Sequence, residues 1–184
     1  SKIPRKIENT MSEIVVQKFG GTSVGTVDRI DSVAEIIKNA SKSNKIVVVV
    51  SAMGGETNRL VDLAKAFGDD PDKREFDALV STGETVSSAL LTMALHSKGV
   101  KAKSFSASQI SMRTTSSYSK AKILDVDAKK ILDVVENDTI PIITGFQGVT
   151  EGGDVTTLGR GGSDTTAVAI AAQIAAIRCD IYTD

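Results

Sequence analysis

Five short apolar runs recur along this chain, at 14–19, 45–51, 101–106, 139–144 and 178–183, and mixed polar stretches separate them. The second contains Ile46-Val47-Val48-Val49-Val50, apolar at every position and not at alternate ones. Such a run suits a strand buried on both faces. Helical patterning between the runs predicts helices at 27–40, 57–67, 75–98 with a break near Gly83, 128–136 and 163–177. Strands that alternate with helices predict an α/β fold, a mainly parallel sheet sandwiched between helices.

The window 145–162 breaks that rhythm. It holds seven of the fifteen glycines, with β-prone pieces at 146–150 and 155–158 between them. A hairpin follows, either one with flexible turns or one that leads the backbone into a ligand site. The sequel Arg160-Gly161-Gly162-Ser163-Asp164 favours the second. At the other end, residues 1–11 carry Lys2, Pro4, Arg5 and Lys6 without periodicity and read as a leader or cloning remnant, which leaves 12–184 as the folded unit. Residues 108–122 are polar and irregular and read as a loop.

Composition narrows the function. The 184 residues can bury a core of their own. Lys+Arg 22 against Asp+Glu 23, with 4% aromatic residues, gives neither the basic surface nor the stacking platforms of a nucleic-acid binder. The single cysteine, Cys179, permits no intramolecular disulfide and no cysteine cluster, and suits a reducing compartment. No stretch is apolar for the length of a membrane helix, and the first ten residues lack the core of a secretory signal. The expectation is a cytoplasmic protein whose partners are neither nucleic acid nor membrane.

Chemistry concentrates in four turns. The first, Lys18-Phe19-Gly20-Gly21-Thr22-Ser23-Val24, emerges where the first strand ends. Its glycines let backbone N–H groups approach one anion, while Lys18 adds a mobile positive charge. The spacing matches neither the P-loop nor the dinucleotide fingerprint. The second, Ser51-Ala52-Met53-Gly54-Gly55-Glu56-Thr57, repeats the design after the second strand. The third, Ser81-Thr82-Gly83-Glu84, sets Glu84 near a helix start, where it serves as an N-terminal charge or, facing a cleft, as a partner for an ammonium group. The fourth, Gly159-Arg160-Gly161-Gly162-Ser163-Asp164, opens a helix that is apolar nearly all round and so is expected to be buried. Arg160 can hold a carboxylate through two parallel hydrogen bonds. Ser163 can cap the helix, donate to a ligand, or do both. Asp164 either offsets the helix dipole or holds lysines or magnesium in place. His96, the only histidine, sits at a helix end and supports neither a catalytic triad nor a histidine metal site. Lysine, arginine, carboxylates and backbone amides suit phosphoryl transfer, which rests on positioning and charge stabilisation.

Taken together, the four turns and Gly145-Phe146-Gln147-Gly148 resemble the aspartate kinases (aspartokinases) of the amino acid kinase family in order and approximate spacing. The resemblance spans residues 14–184. It implies that Lys18, Gly20 and Gly21 hold the phosphates of ATP, brought in with Mg2+, and that Ser51, Thr183 and Asp184 lie along the nucleotide. It further implies that Ser23, Thr57, Glu84, Arg160, Gly161, Gly162 and Ser163 bind L-aspartate, with Glu84 on the α-ammonium and the arginine on carboxylate. Lys18 and Asp164 would be the catalytic pair, and no resident metal is implied. The implied reaction gives 4-phospho-L-aspartate, the first step toward lysine, threonine and methionine. Family members continue into a nucleotide-binding half and ACT regulatory domains, which these residues do not include, and full-length relatives are expected to be homo-oligomers. A non-catalytic aspartate-binding module, or a related kinase with another acidic substrate, are the alternative expectations.

Overall fold

The structure, a computed structural model, describes residues 13–159 and 161–183. The predicted leader at 1–11 lies outside them. Five strands form one sheet in the order β3-β6-β2-β1-β9: β1 Ile14–Phe19, β2 Lys45–Val50, β3 Ala102–Phe105, β6 Ile140–Thr144 and β9 Arg178–Tyr182. Every pairing in this sheet is parallel. A parallel sheet must be covered on both faces, and the β-branched runs supply the apolar surface for it. Val47 through Val50 are 0% exposed, and each such side chain contributes roughly 1.5–3 kcal/mol by leaving water.

Period-2 alternation sorts the strand residues between two cores. Val15, Phe19, Ile46, Val48, Val50 and Ile142 pack with α1 (Val27–Ala40) and α4 (Thr82–Ser97) on one face. Ile14, Val16, Val47, Val49 and Ile143 pack with α5 (Ala128–Glu136) and α6 (Gly162–Gln173) on the other. The hairpin at 145–162 forms as expected: β7 Gln147–Val149 pairs antiparallel with β8 Val155–Thr157. Two further short strands, β4 Arg113–Thr114 and β5 Ile123–Asp125, join it in a second sheet of order β5-β4-β7-β8. The segment 108–122, expected to be irregular, thus carries a strand with one nearby partner, β5, and one far along the chain, β7.

Several boundaries differ from the sequence pattern. The break in the long helical stretch falls at Ser81, between α3 (Lys73–Val80) and α4, and Gly83 lies inside α4. A Cβ at Gly83 would sit 2.8 Å from Ala52 Cβ, so the glycine serves close packing and not a chain break. The helix α2 is shorter than predicted, Glu56–Ala64. The helix α6 ends at Gln173 because Ala175 turns left-handed (φ 52), Ala175 N–H donates to Ala172 O, and Ala176 N–H donates to Ala171 O. That is a Schellman closure made without glycine, hence without a sequence signal. The expectation that α6 is buried all round also fails: Thr166, Ala167 and Ile170 are buried, but Val168 is 56% exposed. Only the side that meets β1, β2 and β9 is covered. The stretch Lys73–Ser97 is long and apolar enough to cross a membrane by length and composition. Here it is two helices of the fold that bury the carboxylates Asp77 and Glu84.

Candidate active site

All four turns meet at the carboxyl ends of the parallel strands, where open α/β sheets leave a crevice. There they line a cleft of about 510 Å³. Lys18 and Gly21 come from the first turn, Ser51 to Gly55 and Thr57 from the second, Glu84 from the third, and Gly159 with Gly161 to Asp164 from the fourth. Arg160 lies outside the described residues, though both its neighbours line the cleft. Asp184 lies outside them as well.

The two glycine turns are joined through their backbones. Gly54 N–H donates to Gly21 O at 2.9 Å, and a Cβ on either glycine would lie 3.2 Å from a backbone oxygen of the opposite turn. Side chains would force the turns apart. Gly145 is constrained likewise, since a Cβ there would meet Ser163 Oγ at 2.7 Å and Ser163 Cα at 3.1 Å. Its absence lets the start of α6 settle against the end of β6.

Helix caps divide the molecule in two. The helices α1, α3 and α5 begin at Thr26, Asp72 and Asp127, whose side chains accept from first-turn amides. The helices α2, α4 and α6 begin at Gly55, Ser81 and Gly161 with no side-chain cap. These three uncapped starts are the ones that border the cleft, where Gly55, Glu84 and Gly161 line it. First-turn amides that no side chain caps, and the positive dipole ends of α2 and α6, favour anionic ligand groups at that place. Ser163, a candidate cap in the sequence, stands inside the helix and not at its cap position, which is Gly161 in the left-handed region (φ 72).

Lys18 points toward α6 because its strand neighbours Ile14 and Val16 do so. It is 8% exposed, and its Nζ lies 2.8 Å from Asp164 Oδ1 in the first turn of α6. The ammonium is thus the partner of Oδ1, an oxygen otherwise out of reach of solvent although the Asp164 side chain is 49% exposed. Gly20 packs at the ammonium rather than in the cleft lining, its missing Cβ 3.3 Å from Lys18 Nζ. Glu84 is 2% exposed. One oxygen accepts Ala52 N–H at 3.3 Å and the other has no partner among the described residues. Burial pushes its carboxyl up to about 8, against the smaller downward pull of backbone amides.

Ser23 and Thr183 are not brought to this cleft. They line a smaller neighbouring cavity of about 270 Å³ with Tyr182, whose ring stacks on Phe19 with centroids 4.5 Å apart. Conversely, the cleft contains residues that sequence reasoning did not single out. Phe146 lines it with φ 71, and Ser119 lines it with φ 67. Left-handed backbone at a bulky residue is costly and concentrates at sites under functional constraint. Phe146 lay within a quoted motif; Ser119 had no signal at all. Among the described residues, no three His, Cys, Asp or Glu side chains gather in a way that could hold a metal ion.

Comparison with known proteins bears on this geometry. Residues 13–184 match the amino acid kinase family. The chain is 55% identical over 172 residues to an aspartate kinase of Stutzerimonas stutzeri, and equally to an aspartokinase of Geobacillus stearothermophilus. Each alignment covers 93% of this chain and 42% of the relative, so the chain spans less than half the length of these proteins. Among solved structures, E. coli aspartokinase III in complex with aspartate and ADP superposes with a TM-score of 0.83 at 29% identity, covering 94% of this chain and 49% of that one.

Proposed function

Because the chain belongs to the amino acid kinase family, we propose that its cleft serves the transfer of the γ-phosphoryl group of ATP to the β-carboxylate of L-aspartate. One observation carries this reading: a single cleft holds a nearly buried lysine at uncapped helix starts and, also within it, a buried glutamate with an oxygen that has no partner among the described residues. The first arrangement suits phosphate and carboxylate, the second an ammonium. The substrates, ATP and an amino acid with a second carboxylate, carry these groups.

In the proposed reaction an oxygen of the β-carboxylate attacks the γ-phosphorus. The bond to the bridging oxygen breaks, ADP leaves, and an acyl phosphate forms without any proton transfer. Lys18, with Gly20 and Gly21 beside it, holds the phosphates and offsets charge on the transferring group. Asp164 holds the Lys18 ammonium in place. Glu84 takes the α-ammonium with Thr57 nearby, and Arg160 with Gly161, Gly162 and Ser163 takes carboxylate. Ser51 serves the nucleotide, whose Mg2+ arrives with it, and Thr183 would do so only from the neighbouring cavity. The relatives named aspartate kinase and the E. coli complex with aspartate and ADP support this choice of substrates.

The test is ATP- and aspartate-dependent formation of acyl phosphate, trapped with hydroxylamine, in a protein that carries these residues joined to the remaining length of its Geobacillus relative. Phosphorylation of acetylglutamate in preference to aspartate would overturn the substrate assignment. The buried Glu84 in the cleft also supports a second reading for the 184 residues alone, an aspartate-binding unit. Calorimetric titration with L-aspartate, with no turnover on adding ATP-Mg, would support it.

A further inference from the structure

Behind the cleft wall that carries Ser119, Leu158 and Gly159 lies a carboxylate with no place in the chemistry above. Asp77, on α3, is 0% exposed. Its Oδ2 accepts Ser119 N–H at 2.8 Å and Thr157 N–H at 2.8 Å, and its Oδ1 accepts the Thr157 hydroxyl at 2.8 Å. These donors belong to two segments of the wall. Ser119 lines the cleft directly, and Thr157 is followed by Leu158 and Gly159, which line it too. Ala121 N–H donates to Thr157 O at 3.0 Å, so the 119–121 segment also lies along β8.

We infer that Asp77 is a positioning residue: it fixes the wall formed by the Ser119 turn and the end of β8, and through it the affinity of the cleft for its ligand. Three donors on one buried carboxylate leave that wall little freedom, because any displacement strips a dry charged group of its partners. The left-handed backbone at Ser119 (φ 67) is a strained conformation that this capture can hold. The end of β8 also leads through Leu158 to Gly159, so the same clamp sets the entry to the fourth turn.

Two arms test the inference. Site-resolved hydrogen exchange on the unaltered chain should find the Ser119 amide protected, at least about tenfold slower than those of the exposed neighbours Ser116 and Ser117. Exchange as fast as theirs overturns the proposal without any variant. In the second arm, which rests on the aspartate reading, Asp77→Ala should weaken L-aspartate binding by about tenfold or more and speed exchange at Ser119 and Thr157. Asp77→Asn should restore most of both, since its carbonyl can take the two amides while the Thr157 hydroxyl accepts from its NH2. The Ile37→Val variant, altered in the α1 core, should keep wild-type affinity. Unchanged affinity in Asp77→Ala, or an equal loss in Ile37→Val, contradicts the inference. If the unaltered chain binds no aspartate, the functional reading fails, and the exchange arm alone decides whether Asp77 holds the wall.

Discussion

Replacing Glu84 by Gln should make the protein more stable at neutral and alkaline pH while weakening its grip on substrate. The folded carboxyl titrates at about 8 in place of 4.5 because burial at 2% exposure strips the charged form of water. Between those values the folded state keeps a proton that the unfolded chain releases, so this group's contribution to stability falls as pH rises through that window. At about 1.4 kcal/mol per tenfold change, the full span costs roughly 4–5 kcal/mol above pH 8, and about 3 kcal/mol is already felt at pH 7. Glutamine never ionises in either state, so it escapes the cost and keeps the side-chain volume and the carbonyl that accepts Ala52 N–H. Chemical denaturation of both proteins at pH 4, 7 and 9 would measure the difference. The expected gain for Glu84→Gln is near zero at pH 4, about 3 kcal/mol at pH 7 and larger at pH 9. A gain independent of pH, or a variant less stable than the parent at pH 9, would refute the assignment of a desolvated carboxyl. The variant should nevertheless bind L-aspartate at least about tenfold more weakly, because it offers the ammonium no charge.

Aspartate binding below pH 8 should itself release a proton as the ammonium draws Glu84 into its ionised form. Calorimetry in two buffers of different ionisation enthalpy would show this as a buffer-dependent heat that vanishes in Glu84→Gln. In the extended protein, Lys18→Ala should slow acyl phosphate formation by roughly 30- to 1000-fold, corresponding to about 2–4 kcal/mol of lost charge stabilisation; a loss below tenfold would speak against an electrostatic role. Gly145→Ala should cost about 1–3 kcal/mol in thermal denaturation and displace the start of α6, since the new methyl meets Ser163 Oγ at 2.7 Å.

The central sheet was legible because its strands are β-branched runs buried on both faces. The bounds of β1, α1 and α5 fell where the pattern placed them. The second sheet was not, because β4 and β5 have only two and three residues and β4 is tied to the hairpin by a pairing with distant β7. The glycine turns announced the cleft, and Lys18, Glu84 and Asp164 do meet there. Asp77 was invisible: an aspartate inside a helix looks solvated until the fold brings Ser119 and Thr157 to it. Ser119 itself is a small polar residue in a polar stretch, and only the backbone geometry marks it. Ser23, read as part of the first turn's chemistry, faces a separate cavity because the chain reverses after Gly21.

Titration of L-aspartate into the isotopically labelled chain, followed by backbone amide resonances, tests most directly whether this one cleft receives the acidic substrate. Saturable shifts confined to Gly54 through Thr57, Glu84 and Gly161 through Asp164 are the predicted outcome. Shifts that cluster elsewhere, such as around Ser23 and Thr183, would contradict it.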